Sequence, residues 1–166
     1  MADSVREKIF AAIIYGLKQI TTASGYNYTV RQVYDPPIGI DDMKEYPAIN
    51  IDDGDENCAN SSTGNHLQTG GNEALLHNSF TVILDCVVSD INFPRKARNK
   101  ILADIQRYFG IHWNIPDNSG IPTAFNCFYQ RSTPWGVYEK RKDLTGITIE
   151  YIVWYRQYLT NPSQSS

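Results

Sequence analysis

The chain reads as an α+β protein: a mixed, mainly antiparallel sheet packed against two amphipathic helices, with a long exposed loop and a C-terminal hairpin. Three observations predict this class. A capped amphipathic pattern opens the sequence, a second helical pattern runs over Pro94–Phe109, and strong strand alternation covers Asn78–Asp90 and Ile147–Tyr158.

The first helix announces itself at Ser4, with Glu7 three residues later. In this capping box the hydroxyl accepts from the Glu7 amide while the carboxylate reaches back. Val5, Ile9, Ile13, Leu17 and Ile20 recur at helical spacing, widened by Phe10 and Ile14, and Arg6, Glu7, Lys8, Lys18 and Gln19 fall largely on the other face. Lys18 suits the negative pole of the helix, and Gly25 is the expected left-handed stop.

Tyr26–Tyr34 then predicts a short strand closed by Asp35-Pro36-Pro37, because two prolines cannot continue a central strand. Ile40–Tyr46 offers a turn of helix, and Pro47–Asp52 a second strand. From Asp53 to Asn72 the sequence is rich in Gly, Asn, Ser and Thr and almost free of apolar residues, which predicts an exposed loop. Loops of this length in compact domains are uncommon. Two readings stand: ordering against a neighbour in an assembly, or an excursion between two strands of a hairpin.

In Asn78–Asp90, Phe80, Val82, Leu84, Cys86 and Val88 share one face. Thr81, Ile83, Asp85, Val87 and Ser89 share the other, only partly polar face, so the strand is expected to be central and covered on both sides. Asn92 is the expected cap of the second helix, Pro94 its first turn, Ala97, Ile101, Ile105 and Phe109 its stripe, and Gly110 its end. Ile111–Thr123 is turn-rich, anchored by Ile111 and Trp113. The arms of the closing hairpin are expected at Ala124–Arg131 and Ile147–Tyr158, with Pro134-Trp135-Gly136 as a turn between them. Residues 160–166 form a polar tail. No repeat divides the chain, so residues 1–166 are read as one domain.

Composition narrows the function classes. Net charge is −3 without a basic tail, which disfavours dedicated or specific nucleic-acid recognition. Arg95, Lys96, Arg98 and Lys100 cluster at a helix start, either as a solvated face or as a contact for an acidic partner. Apolar segments fall short of the roughly 20 residues that span a bilayer, so no membrane role is expected. No signal-peptide pattern is visible, and folding in a cytoplasm is the default expectation. Cys58, Cys86 and Cys127 are odd in number and widely spaced, so they read as unpaired thiols, Cys86 buried in a strand. Eleven Tyr and three Trp suit either a β-rich core or an interface.

The search for chemistry yields little. Asp52-Asp53-Gly54-Asp55-Glu56 is acidic but lacks EF-hand spacing, and His66, His77 and His112 stand singly, so no metal is expected. No nucleophile elbow, phosphate-binding loop or dinucleotide fingerprint is present, and no cofactor or catalytic residue is assigned. Pro116-Asp117 with the later Glu139-Lys140-Arg141 bears a distant likeness to a metal-dependent nuclease pattern. The position two after the second carboxylate holds Arg141 instead of Lys, and Asp117 lies in a turn-like run. An ordinary turn and a charged hairpin tip are the simpler reading. Exposed aromatics also admit a carbohydrate-binding module.

The element order, the opening VREKIFAAI and LKQITTASGYNY, and the terminal ITIEYIVWYR together resemble the tail-terminator and minor tail proteins of tailed bacteriophages. The resemblance implies a structural virion protein, not an enzyme. Its α+β subunits would form a hexameric ring at the head-proximal end of the tail, ending tube polymerisation and joining tail to head. Partners would be further copies of itself, the tail tube protein and a head-completion or connector protein; a head–neck joining subunit of the same virion is the near alternative. A ring needs two different complementary patches on each subunit. The expected patches are the exposed loop Asp53–Asn72, with Asp53, Asp55 and Glu56 at its acidic start, and an aromatic hairpin surface at Trp135, Tyr138 and Trp154; the basic helix start Arg95–Lys100, with Lys96 and Arg98, is expected to meet the acidic loop of a neighbouring subunit.

Overall fold

The computed structural model describes residues 3–58, 67–68 and 74–158. Its elements are α1 (Val5–Leu17), β1 (Gln32–Tyr34), β2 (Ala48–Cys58), β3 (Leu67–Gln68), β4 (Ala74–Ser89), α2 (Pro94–Ile111), β5 (Asn126–Tyr138) and β6 (Arg141–Tyr158), with short 3-10 turns at Thr22–Ser24 and Ile40–Asp42. The sheet runs β1-β2-β4-β6-β5, and β3 adds a two-residue pairing to β4. Only β1–β2 is parallel; every other pairing is antiparallel. The α+β class and the mixed, mainly antiparallel sheet are therefore as the sequence predicts.

Both helices contribute to one core on one face of the sheet. The α1 stripe of Val5, Ile9, Ile13 and Leu17 meets Ile49 and Ile51 of β2, the alternate residues Phe80 to Val88 of β4, and Ile147, Ile149, Tyr151, Val153 and Tyr155 of β6. From α2 the core takes Ala97, Ile101, Ile105, Tyr108 and Phe109. Ser4 caps α1 as expected, accepting from the Glu7 amide at 3.2 Å. Among the described residues, the opposite sheet face carries a second small cluster at one end, where Ala48, Val87, Leu144 and Met43 pack with Tyr34, Ile38, Tyr46, Trp135 and Tyr138. That cluster explains why Val87, on the partly polar face of β4, is fully buried.

Several boundaries differ from the expectations. Helix α1 stops at Leu17; Gly25 does take the left-handed conformation at φ 82°, but it ends the Thr22–Ser24 turn instead. The strand expected over Tyr26–Tyr34 shrinks to three residues, because the Asn27 and Tyr28 amides bond Asp104 of α2 and not a neighbouring strand. The expected loop begins later than Asp53: β2 continues to Cys58, paired with Asn78–Val82 across a bulge between Asp53 and Glu56. The rest of that loop, His66 within it, and the tail at 160–166 lie largely outside the described residues.

Asp90, not Asn92, serves the start of α2, its Oδ1 accepting from the Asn92 and Phe93 amides. Gly110 lies inside α2, which ends one residue later. The hairpin turn falls at Glu139-Lys140. Pro134-Trp135-Gly136 is part of β5, in a region of shifted register. Trp135 lies flat over Gly146, whose absent side chain leaves room for the indole; an added Cβ would sit 2.7 Å from the ring. The indole N–H donates to Thr148 Oγ1 at 3.0 Å, and Thr148 donates in turn to Asp85.

One core group is mismatched with its surroundings. The Tyr151 hydroxyl is buried and meets no hydrogen-bond partner among the described residues. Burial pushes its pKa far up, and the neighbouring Cys127 thiol rises to about 12 for the same reason. Removing an orphaned buried hydroxyl relieves its desolvation cost. Tyr151→Phe is therefore expected to raise the unfolding free energy by about 1 kcal/mol, read from the urea midpoint at unchanged slope.

Candidate functional site

The described surface carries two separate groups of exposed apolar side chains, one at each end of α2. The helix has 18 residues, so at 1.5 Å per residue the groups stand about 27 Å apart.

At the N-terminal end, Asp90 ties down the amides of the β4–α2 turn and leaves Ile91 and Phe93 facing outward, 67% and 65% exposed. A groove of about 550 Å³ lies beside them, lined by Ile91, Val137, Tyr138, Glu139 and Lys142. Lys96 reaches over the Phe93 ring. The hairpin tip is pinned: Tyr138 and Lys140 both donate to Asp41, and Arg141 bonds Asp143. The Lys140 ammonium beside Asp41 holds that carboxyl below its ordinary range.

At the other end, Ile111, Trp113, Ile121 and Phe125 are each more than half exposed. The connection that carries them folds back on itself through backbone bonds, the Thr123 amide donating to the Ile115 carbonyl and the Ala124 amide to that of Asn114. Asp117 Oδ1 accepts from the Ser119 and Ile121 amides and closes a turn with Gly120 at φ 79°. Ile115 is held at φ 47°, a strained setting for a β-branched residue that costs about 1–3 kcal/mol. Full burial of its side chain and two bonds to its carbonyl keep it there. This end of the molecule thus has a fixed shape.

The expected site residues fall in three places. Asp53 and Glu56 are both taken by Arg6 of α1, which also stacks on Phe80 with 4.8 Å to the ring centre. Glu56 further accepts from Tyr155, whose hydroxyl, pushed up to about 12 chiefly by burial, also takes a bond from Asn78. Asp55 is exposed, and among the described residues its carboxylate has no bonded partner. Arg95 and Lys96 are exposed, but Arg98 turns inward and donates to the Trp135 carbonyl at 2.6 Å and to Thr145 at 2.8 Å.

Trp135 and Tyr138 pack into the small second cluster, whereas Trp154 pairs with Ser79 and Asn126 farther along the sheet. Eight strand residues separate Trp154 from Gly146 beneath Trp135, about 27 Å. The three aromatics do not form one surface. Asp117 and the Glu139–Arg141 tip likewise keep different neighbours, and among the described residues no three His, Cys, Asp or Glu side chains are grouped to hold a metal. No described helix is long and apolar enough to cross a membrane.

Sequence reading took Ile111 and Trp113 as anchors of their connection, whereas both stand more than half exposed, and it missed the other exposed apolar residues and Asp104. Ile91, Phe93, Ile121 and Phe125 lie in turns, where an apolar residue stands out only once its neighbours are known to leave it uncovered. Compared with known proteins, the chain matches no family model and no curated protein.

Proposed function

We propose that this protein is a structural subunit that assembles head to tail into a closed ring, of the kind that ends a bacteriophage tail tube and joins it to the head. The observation that carries the reading is the pair of unlike apolar surfaces at opposite ends of α2. A subunit with one such surface makes two-fold dimers; a subunit with two different ones makes heterologous contacts, which close into a ring when the rotation permits. The virion setting comes from the sequence resemblance. A head–neck joining subunit would use the same contacts, and binding of the purified ring to tail tube protein or to connector protein separates the two roles.

Light scattering with negative-stain imaging tests assembly. The expected wild-type species is a ring of about six copies, closure coming from the symmetry argument and the count from the resemblance. Phe93→Asp and Trp113→Asp are each expected to weaken the contact more than about thirtyfold, as central aromatic anchors do. An equimolar mixture of the two variants retains one intact pairing, so it should stop at two copies. A wild-type protein that stays monomeric alone and with tail tube protein would remove the reading.

A further inference from the structure

Two halves of one polar contact lie on this chain without meeting within it. The first half is Arg95. Arg95 and Lys96 stand in the first turn of α2, which holds no acidic residue, so both cations oppose the positive pole of the helix. Lys96 reaches over the Phe93 ring, whereas Arg95 is exposed and, among the described residues, forms no ion pair, hydrogen bond or ring contact. Of the acids expected to meet this basic helix start, Asp53 and Glu56 are held by Arg6, which leaves Asp55.

The second half is a cavity of about 310 Å³ between α1 and the connection that follows α2. On α1 its wall is a single helical stripe of Lys8, Ala11, Ala12 and Tyr15, in which two small side chains leave a hollow between two long ones. The connection supplies Asp117, and Asp3, just before α1, adds a second carboxylate. Asp117 is fixed in place, because its Oδ1 accepts from the Ser119 and Ile121 amides, yet it forms no ion pair among the described residues. Lys8 offsets one of the two carboxylates, so the lining stays net negative. The exposed Tyr15 ring offers a flat face of the kind on which a guanidinium stacks.

Each half lies beside one of the two apolar groups. Arg95 is two positions from Phe93, and Asp117 is four positions from both Trp113 and Ile121. A head-to-tail contact that joins the groups therefore carries Arg95 of one copy toward the cavity of the next. We infer that Arg95 enters this cavity in the neighbouring copy, its guanidinium paired with Asp117 and Asp3 and stacked on Tyr15. The inference rests on the head-to-tail reading above and adds to it the polar contact that fixes the register between copies.

The test measures the dissociation constant between copies by light scattering over a dilution series. Asp117→Asn keeps an Oδ1 for the turn and removes the charge, and Arg95→Gln removes the cation. Each is expected to weaken the contact about fivefold, the upper range for a partly exposed ion pair, and the double variant no more than either single one. Additive losses, or losses below about twofold, overturn the inference while the wild-type ring stands. A wild-type protein that never assembles overturns both readings. A second readout leaves Asp117 intact and so holds even if Asp117→Asn does not fold. Arg95→Lys places there an amine that carbodiimide joins to a carboxylate without a spacer. In a mixture of isotope-labelled and unlabelled protein, mass spectrometry is expected to find that amine linked between copies to Asp117 or Asp3. A link to Asp55 instead, or links within one copy only, overturns the assignment.

Discussion

Replacing Asp104 with alanine is expected to remove about 1–3 kcal/mol of stability, the range for leaving buried hydrogen-bonding groups without their partner. Asp104 lies on α2 with 2% of its surface exposed, yet it forms no ion pair among the described residues. Its carboxylate instead accepts the Asn27 amide at 2.9 Å, the Asn27 side-chain amide at 2.8 Å and the Tyr28 amide at 2.9 Å. These bonds fasten the segment after α1 to α2, across 77 positions of sequence. Alanine leaves three donors without their acceptor and a gap where the carboxylate stood. Asparagine keeps one acceptor oxygen but turns an NH2 group toward a donor, so Asp104→Asn should lose less, though still measurably. Urea unfolding gives the stability change, and hydrogen exchange at Asn27 and Tyr28 should speed up before that of the sheet. A loss below about 0.5 kcal/mol, the scale of ordinary surface substitutions, would show that the anchor is dispensable.

The second large effect is expected at Gly16. Its position in α1 abuts Tyr108 of α2 so closely that an added Cβ would lie 1.5 Å from the hydroxyl oxygen and 2.3 Å from the ring carbon bearing it. The ring cannot simply swing away: it is buried and packs edge-on against Phe109 and tilted against His112. Gly16→Val must therefore part the two helices or expel Tyr108, at a cost of about 3 kcal/mol or more, the upper range for overfilled cores. Helix propensity alone predicts the opposite sign, because valine is a better helix former than glycine. The direction of the change in melting temperature separates the two effects. Gly16→Val combined with Tyr108→Ala should recover part of the loss, since the clash partner is gone, whereas two independent lesions would add.

What was legible in the sequence was what local chemistry decides. Ser4 with Glu7, the spacing of Val5 to Leu17, and the alternation in Phe80–Val88 and Ile147–Tyr155 each fix an element without reference to distant residues, and the Ser4 cap, the buried stripe and both strands are present. What escaped was decided by partners far along the chain. Asp53 to Cys58 looks like the start of a loop because it is polar and free of large apolar residues, but Arg6 of α1 pairs with two of its carboxylates and strand pairing carries on past a bulge. Pro134-Trp135-Gly136 looks like a turn, yet the empty side of Gly146 draws Trp135 onto the sheet and moves the turn to Glu139-Lys140. No local pattern marks Asp104 out; its role shows only where the Asn27 and Tyr28 amides meet it. The candidate surfaces were less legible still. Trp135 and Trp154 are equal as letters, and only the register of β6 shows that they face different neighbourhoods.

The order of strands in the sheet also governs how the molecule comes into being. The central pair joins β4 to β6, with Leu75 opposite Tyr158 and Ser89 opposite Leu144, although α2 and β5 intervene in the chain. During translation β4 therefore leaves the ribosome well before its longer-paired partner exists. Until β6 arrives, one flank of β4 offers unsatisfied amides and carbonyls beside the apolar row Phe80 to Val88, an arrangement prone to pairing with other chains. Non-local pairing of this kind also slows folding. Nascent chains stalled before Arg141 should thus bind holding chaperones, and release from them should coincide with synthesis of β6.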